Sequence, residues 1–98
     1  MIDKIIKGIK YCLDEENLTA EVIQKKGYEG DIIIPETVVF KKVTYRVTSI
    51  GEEAFGHCPL LRSVTFNGTI EQWGNVDLAF GWNDYVELVH CTDGDVEI

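Results

Sequence analysis

The 98-residue chain has few basic side chains, nine lysines and arginines against 17 aspartates and glutamates, and its formal net charge is −8. Nucleic-acid binding depends largely on Lys and Arg side chains that neutralise phosphates and release counterions. The few basic residues are scattered, so the sequence predicts no nucleic-acid partner and no attraction to an anionic membrane surface. The acidic excess favours a soluble, monomeric chain.

Long apolar runs are also missing. No stretch approaches the ~20 apolar residues that span a bilayer. The opening segment from Met1 to Ile9 is apolar but repeatedly broken by charge, so it lacks the continuous apolar region of a signal peptide. The sequence predicts no membrane insertion. For the compartment it leaves two readings open, an intracellular chain or one from which a signal segment has been removed.

Cysteine is scarce, and Cys12, Cys58 and Cys91 form an odd set without close pairing, which is a poor match to a disulfide framework. We expect three small, buried thiols that behave as apolar side chains; one disulfide plus a free thiol is the alternative. The dipeptides His57-Cys58 and His90-Cys91 lack zinc-ligand spacing. Neighbouring strand residues point to opposite faces, so we expect no metal site and no cysteine–histidine nucleophile pair.

Sequence fingerprints of catalysis are absent as well. The chain contains no G-x-S-x-G, H-E-x-x-H, Walker or dinucleotide-binding motif. The acidic clusters Asp14-Glu15-Glu16 and Asp93-Gly94-Asp95 lack the ligand ladder of an EF-hand, and we expect them to be solvated turns. The sequence therefore predicts neither an enzyme nor a cofactor.

The chain does contain ordinary fractions of apolar (45%) and aromatic (10%) residues for a globular protein, and its length fits one domain. Alternation over Ile9–Leu13 and Leu18–Ile23, on either side of a polar turn, predicts an antiparallel hairpin. Asp31–Pro35 is a short strand ended by proline. Val38–Ile50 predicts two strands joined at Lys41-Lys42.

The sequence predicts only short helical segments. Thr69 and Gln72 have the spacing of a capping box, which predicts a brief helix that places Ile70 and Trp73 on one face. Ser49 and Glu52 share that spacing, with Gly51 as the alternative cap, before a single helical turn. Further on, the sequence predicts strands at 63–66 and 86–89 and a hairpin turn at Asp-Gly, positions 93–94.

An internal repeat is visible in the sequence. The segment from Ile32 to Val38 can be laid over the segment from Val64 to Ile70, and both place an apolar strand before a polar turn and a β-branched residue. A unit of this size cannot bury its apolar face alone, so it must stack on a neighbour or be capped.

The segment from Val47 to Val64 matches V-T-S-I-G-x-x-A-F-x-x-C-x-x-L-x-S-V and resembles the consensus of BspA-type leucine-rich repeats. The resemblance implies a β-rich α+β fold, a short leucine-rich-repeat-like solenoid unit in a single domain. Residues 1–30 would form an N-terminal β-hairpin cap, 31–66 the repeat core, and 67–98 a C-terminal capping segment of helix and strand.

Within that repeat each position has an expected structural role. Val47, Ile50, Phe55, Cys58 and Leu61 are expected to face the core, and Ala54 is small where the backbone passes closely. Gly51 is expected to adopt a left-handed or tight turn conformation.

The resemblance further implies a non-catalytic interaction or adhesion module of a bacterial surface or secreted protein, hence an extracellular or cell-surface location, with a protein or glycan as ligand. The alternative is a capping or spacer domain with no ligand of its own. Exposed strand edges and loops, with Tyr45, Arg46, Trp82 and Tyr85, form the predicted binding surface, and a strand edge is expected to permit self-association. The aromatic group of Trp73, Phe80, Trp82 and Tyr85 either forms a recognition surface or seals the end of the core.

Overall fold

The computed structural model describes residues 1–84 and 86–98. Within these ranges the chain forms ten strands and one short helix. In chain order they are β1 (Ile2–Ile6), β2 (Ile9–Asp14), β3 (Thr19–Val22), β4 (Gly30–Pro35), β5 (Thr37–Phe40), β6 (Val43–Ile50), β7 (Leu61–Asn67), α1 (Ile70–Trp73), β8 (Asp77–Leu78), β9 (Leu88–Cys91) and β10 (Gly94–Glu97). The predicted strand-rich fold is confirmed. None of the helical structure in the described ranges has the length and apolar character that crossing a bilayer requires.

The strands form two sheets. In the first, neighbours follow the order β1-β2-β3-β6-β5, and β8 also pairs with β6; in the second the order is β10-β9-β7-β4. The chain alternates between them. It adds β3, β6 and β8 in parallel to the first sheet, and β4, β7 and β9 in parallel to the second. Each step of the chain therefore contributes one strand to each sheet.

The register between β4 and β7 matches the internal repeat. Ile32 lies opposite Val64, and Ile34 lies opposite Phe66, which are the pairs that the alignment of the two segments predicts. The strand part of the repeat is therefore confirmed. Stacking places two similar apolar strands side by side, because neither buries its inner face alone.

Antiparallel hairpins flank these parallel strands. β2 pairs with β3 as predicted, and its residues alternate between buried and half-buried. β9 pairs with β10 around the Asp-Gly signal, although β9 starts at Leu88, two residues later than predicted. β1 is a strand that the sequence did not predict, paired along its length with β2.

Two of the hairpin turns use left-handed backbone. Lys7 and Gly8 join β1 to β2 with φ of 49° and 85°, and Lys41 and Lys42 join β5 to β6 with φ of 50° and 66°. Two-residue loops with positive φ at both positions suit the right-handed twist of the flanking strands. The predicted turn at Lys41-Lys42 is confirmed, but both positions hold residues for which left-handed backbone is costly.

The residues predicted to face the core do so. All six are buried, and three of them are 0% exposed, namely Ile50, Ala54 and Phe55; the others are Val47, Cys58 and Leu61. They join one apolar cluster with residues from both sheets, such as Leu13 and Val89. The inward orientation on which the scaffold prediction depends is therefore observed.

A continuous series of aromatic rings runs through this core. Tyr28, Phe55 and Trp82 contact in turn, with ring centroids 5.0 Å and 6.3 Å apart. Trp82 then packs on Trp73 at 5.9 Å, and Trp73 on Phe66 at 5.3 Å. The first three stand in successive loops that lead from the first sheet to the second, so the loops as well as the strands are stacked.

The predicted helix and its capping box are both present. The Thr69 hydroxyl accepts a 3.1 Å hydrogen bond from the Gln72 N–H, and the Gln72 side-chain oxygen accepts one of 2.7 Å from the Thr69 N–H. The Ile70 N–H donates to the Asp93 carboxylate at 2.8 Å. These bonds satisfy N–H groups that a helix start leaves without partners and tie α1 to the turn before β10.

Near residue 50 the predicted short turn starts at Gly51 and not at Ser49. Ser49 caps no helix: it lies in β6, and its hydroxyl donates to the Glu21 carboxylate at 3.0 Å. Gly51 is not left-handed, but it begins a tight turn, which was the alternative, because its carbonyl oxygen accepts a 3.1 Å hydrogen bond from the Ala54 N–H. A Cβ at Gly51 would lie 2.9 Å from Glu21 Oε2 and 3.3 Å from the Val22 carbonyl oxygen. The Glu21 side chain can move aside, but the backbone of β3 leaves little room for a side chain at this position.

Candidate binding surfaces

The sheet edges differ in how well they are protected. An unpaired edge offers backbone N–H and C=O groups to any passing strand, and charged side chains discourage such pairing. β1 carries Asp3 and Lys4, and β10 carries Asp95 and Glu97. At β5, the Lys4 ammonium reaches from β1 to lie 5.3 Å from the Phe40 ring, so a charged group covers that edge too.

β4 is the least protected of these edges. Among residues 1–84 and 86–98 it pairs on one side only, with β7. It carries three consecutive isoleucines, of which Ile33 is 60% exposed. Its one carboxylate, Asp31, accepts a 2.7 Å hydrogen bond from the Ser63 hydroxyl on β7. That bond holds the charge against the neighbouring strand, so the apolar part of the edge remains open.

A groove of about 570 Å³ lies beside this edge, between the β1–β2 hairpin, β4 and β5. Its lining is mostly apolar and includes Ile6, Ile9, Tyr11, Ile32, Ile33, Pro35, Val38 and Val39. We call it the β4 groove. Its size falls within the range of about 300–1,000 Å³ typical of ligand-binding pockets.

The floor of the β4 groove is part of the core. Ile9, Tyr11 and Val38 are buried, although they line the groove. Burial, and secondarily the nearby Tyr28, raise the pKa of Tyr11 well above its ordinary value, so this phenol stays neutral at physiological pH. An apolar occupant therefore meets no ionised group at the floor.

A second, smaller cavity of about 220 Å³ opens along β6. β5 pairs with β6 over residues 43–46 and β8 pairs with it over residues 49–50, so Val47 and Thr48 lie at a break between the two partners. We call this cavity the β6 cleft. Its lining residues are Glu36, Thr37, Arg46, Val47, Thr48, Phe66, Gln72, Asn75 and Val76.

Polar side chains surround the β6 cleft and apolar ones form its floor. Val47, Phe66 and Val76 are buried, whereas Glu36 and Arg46 are exposed. The remaining lining side chains are hydroxyls and carboxamides. Such a site contains hydrogen-bond donors, acceptors and one charge of each sign around an apolar surface.

Gly68 shapes one wall of this cleft. A Cβ at this position would lie 2.6 Å from the Phe66 ring and 2.8 Å from both Glu36 Oε1 and Gln72 Oε1. Both polar side chains therefore reach over the same bare stretch of backbone. Any larger residue here would displace the ring or the two oxygen atoms.

The structure separates the four residues of the predicted binding surface. Tyr45 is 4% exposed and Trp82 is 7% exposed, so the expectation that these aromatic side chains face a partner is wrong. Both were expected to join exposed strand edges and loops, but their rings belong to the core. Arg46 is exposed and lines the β6 cleft; its part in binding stays a prediction. Tyr85 lies outside the described residues.

The aromatic group near the end of the chain is likewise split. Trp73 and Trp82 are buried, as the sealing interpretation predicts, whereas Phe80 is 91% exposed. Sequence reasoning did not single out β4 or the carboxamides of the β6 cleft. The run of three isoleucines before Pro35 could have indicated an apolar binding edge at β4. The β6 cleft, by contrast, depends on where β5 and β8 end, and no local sequence pattern predicts those ends.

The three cysteines are free thiols. Cys58 is buried as predicted, whereas Cys12 and Cys91 are only half-buried. Burial raises the pKa of each thiol, and neighbouring carboxylates add to the effect, Asp3 at Cys12 and Asp93 at Cys91. A raised pKa leaves less of the nucleophilic thiolate.

The histidines contact carboxylates at the surface. His57 lies 3.8 Å from Glu53 and 4.0 Å from Asp84, and the His90 ring nitrogen Nδ1 lies 2.8 Å from Asp95 across the β9–β10 hairpin. Among residues 1–84 and 86–98, no group of three or more His, Cys, Asp or Glu side chains is placed to hold a metal ion.

No protein-family model matches the chain, and no curated protein matches it. Among solved structures, a leucine-rich cell surface protein from Faecalibacterium prausnitzii A2-165 is similar, with a TM-score of 0.69 at 21% sequence identity. The match covers 95% of this chain and 24% of that one, so the chain spans about a quarter of the neighbour's length. The chain therefore shares the strand-rich fold of a leucine-rich protein.

Proposed function

We propose that this chain is a non-catalytic protein-binding module whose β4 edge pairs with an extended, apolar segment of a partner protein. The observation that carries the proposal is the exposed apolar edge of β4 beside an apolar groove. In strand addition, main-chain hydrogen bonds supply affinity, and pockets for alternate side chains supply specificity. The β4 edge offers the main-chain hydrogen bonds, and the β4 groove offers the pocket for side chains.

The charge of the chain narrows the partner further. A net charge of −8 favours association with neutral or basic surfaces and disfavours acidic ones. Lys7 and Asp31 are the charged residues in the groove lining, one of each sign. We therefore propose an extended segment with apolar side chains at alternate positions and a basic or neutral overall charge.

We further propose that the chain is a short solenoid unit of the BspA-type leucine-rich-repeat kind. The alternating addition of parallel strands to two sheets supports this, since each step resembles one coil. The β1–β2 hairpin would cap the first coil, and α1 with the β9–β10 hairpin would cap the last. The structural similarity to a bacterial cell surface protein supports placing the module in a bacterial surface or secreted protein, outside the cell.

A cap or spacer without its own ligand is the second candidate. The observation that favours it is the pair of antiparallel hairpins at opposite ends of the parallel strands. Hairpins in these positions end the parallel order and would suit a domain that terminates or separates others. The two candidates differ in whether the β4 edge has an occupant.

The test compares two variants at equally exposed isoleucines. Ile33 on β4 and Ile5 on β1 are both 60% exposed. A phage-displayed library of random peptides, selected on the immobilised wild-type chain, is expected to enrich peptides with alternating apolar residues. Ile33→Lys should reduce their binding at least tenfold because the new charge disfavours strand pairing. Ile5→Lys should leave it unchanged.

The opposite outcomes are equally clear. Failure to enrich any peptide, together with a monomeric mass by light scattering, would count against binding at β4 and favour the spacer. Equal losses in both variants would show that the effect is general and does not belong to β4. A dimer that Ile33→Lys dissociates would identify a second copy of this chain as the occupant.

A further inference from the structure

We propose that the β6 cleft binds one neutral sugar residue of a glycan. This goes beyond the protein-binding proposal, since the cleft is a separate cavity that shares only Thr37 with the β4 groove. The inference rests on the size of the cleft, the hydrogen-bonding capacity of its side chains, their balanced charge and the way they are held in place.

The size of the cleft suits a single ring. Its 220 Å³ would hold about seven water molecules at ~30 Å³ each. It lies below the range of about 300–1,000 Å³ that drug-sized ligands occupy. A pyranose ring with its hydroxyls is of this size, whereas a nucleotide or a peptide segment of several residues is not.

Hydrogen-bonding capacity around the cleft is largely unused. The Arg46 and Glu36 side chains make no salt bridge and no hydrogen bond with the described residues. The Thr48 hydroxyl is likewise without a partner there. A guanidinium offers donors alone, a carboxylate acceptors alone and a hydroxyl both. Sugar hydroxyls, which donate and accept, can satisfy all three.

Two carboxamides of the cleft, those of Gln72 and Asn75, are each held by one hydrogen bond that leaves the other polar atom of the amide group available to a ligand. Gln72 uses its oxygen to accept from the Thr69 N–H at 2.7 Å, which leaves its NH₂ group as a donor. Asn75 uses its NH₂ group to donate to the Glu71 carbonyl at 3.3 Å, which leaves its oxygen as an acceptor. Groups already held in position lose less conformational entropy when a ligand binds.

The cleft carries one charge of each sign, Glu36 and Arg46, so its charges sum to zero and give no net attraction for an anion or a cation. A neutral ligand can donate to Glu36 and accept from Arg46 at the same time. The buried floor of Val47, Phe66 and Val76 presents apolar surface against which the C–H face of a pyranose can pack. Together these features favour a neutral hexose over an acidic or amino sugar.

The test uses the methyl glycosides of glucose, galactose, mannose and N-acetylglucosamine with the full ¹⁵N-labelled chain. At least one is expected to shift the backbone amide signals of Thr48, Gln72 and Asn75, with a dissociation constant of about 1–10 mM, as few contacting atoms permit. Arg46→Ala and Asn75→Ala should each weaken binding about tenfold. Arg62→Ala, at the other exposed arginine, should not.

Several results would overturn the proposal. These are no amide shifts with any of the four glycosides at 50 mM, shifts confined to the β4 groove, or equal weakening by Arg46→Ala and Arg62→Ala. Glucuronate or glucosamine binding more tightly than the neutral glycosides would also overturn it, because the balance of Glu36 and Arg46 would then not govern recognition. A native-like spectrum for each variant ensures that lost binding is not lost folding.

Discussion

The Tyr28 hydroxyl donates a 3.0 Å hydrogen bond to the carbonyl oxygen of Ile23 and accepts one of 3.0 Å from the backbone N–H of Lys10. One phenol thus joins β2 to the segment that leaves β3. The Tyr28 ring packs on Phe55 in the next loop. A single side chain therefore connects the N-terminal hairpin to the stacked core.

Replacing Tyr28 with phenylalanine should lower the free energy of unfolding by about 1–3 kcal/mol, because the Lys10 N–H and the Ile23 carbonyl lose a partner in a partly buried place. Urea unfolding followed by circular dichroism measures the change. Tyr45→Phe is the matched control, since the Tyr45 hydroxyl has no hydrogen bond to the described residues. Equal effects at both positions would contradict the role given to Tyr28.

The contribution of the Tyr28 hydroxyl to the free energy of unfolding should be lost at alkaline pH. Burial raises the pKa of Tyr28 to about 12, against about 10 in an unfolded chain. Because the folded pKa is the higher, the contribution to stability is complete below pH ~10 and is lost as the pH rises through 12. The difference in unfolding free energy between wild type and Tyr28→Phe should therefore shrink over that interval. A constant difference from pH 9 to 12 would rule this out.

Trp82 and Phe80 stand two residues apart and should respond oppositely to truncation. Trp82→Ala removes a ring packed on Phe55 and Trp73 and should cost about 3–5 kcal/mol of stability. Phe80→Ala, at a side chain 91% exposed, should change stability by about 0.5 kcal/mol or less. Denaturant midpoints compare them directly, and a large loss at Phe80 would contradict the structure at this loop.

The Lys41-Lys42 turn should be open to stabilisation. Both residues have left-handed backbone, which costs an ordinary side chain roughly 1–2 kcal/mol, and Asn-Gly is the preferred pair in such a loop. The double change Lys41→Asn, Lys42→Gly should therefore raise the free energy of unfolding by about 1 kcal/mol. Lys26→Gly, at an exposed position without positive φ, is the control and should not stabilise.

All three thiols should react slowly. Burial raises the pKa of Cys12, Cys58 and Cys91, so the thiolate fraction at pH 7.5 is smaller than in a free thiol, and Cys58 is also shielded from reagent. A disulfide-exchange reagent should label Cys58 slowest and all three rapidly in urea. A native thiol that reacts faster than free cysteine would revive thiol chemistry as a function.

Local sequence patterns were sufficient to predict the role of a residue where that role depends on its neighbours in the chain. The alternation in β2, the turn at Lys41-Lys42, the Thr69 capping box and the inward positions from Val47 to Leu61 all follow from such patterns. The parallel register of Ile32 with Val64 also followed, because similarity between two segments predicts that they stack.

The sequence was insufficient where the role of a residue depends on segments that are distant in the chain. Ser49 meets Glu21 across the sheet, and no local spacing reveals that partner. Gly51 begins a tight turn as expected, but no local pattern reveals that the backbone of β3 passes close to it. Tyr45 and Trp82 are residue types that are common in binding surfaces. Whether an aromatic ring seals a core or faces solvent depends on what packs above it. The two cavities arise from strand ends in different parts of the chain.

Three stacked rings of the core, Tyr28, Phe55 and Trp82, follow one another at intervals of 27 positions in the chain. The strands do not share this regular spacing: Ile32 lies 32 positions before its partner Val64, whereas Val64 lies 25 positions before its partner Val89. The connections between the strands therefore absorb differences in length while the three rings stay stacked. An insertion or deletion in such a connection is expected to be tolerated where it leaves Tyr28, Phe55 and Trp82 in contact, and to open a gap in the interior where it does not.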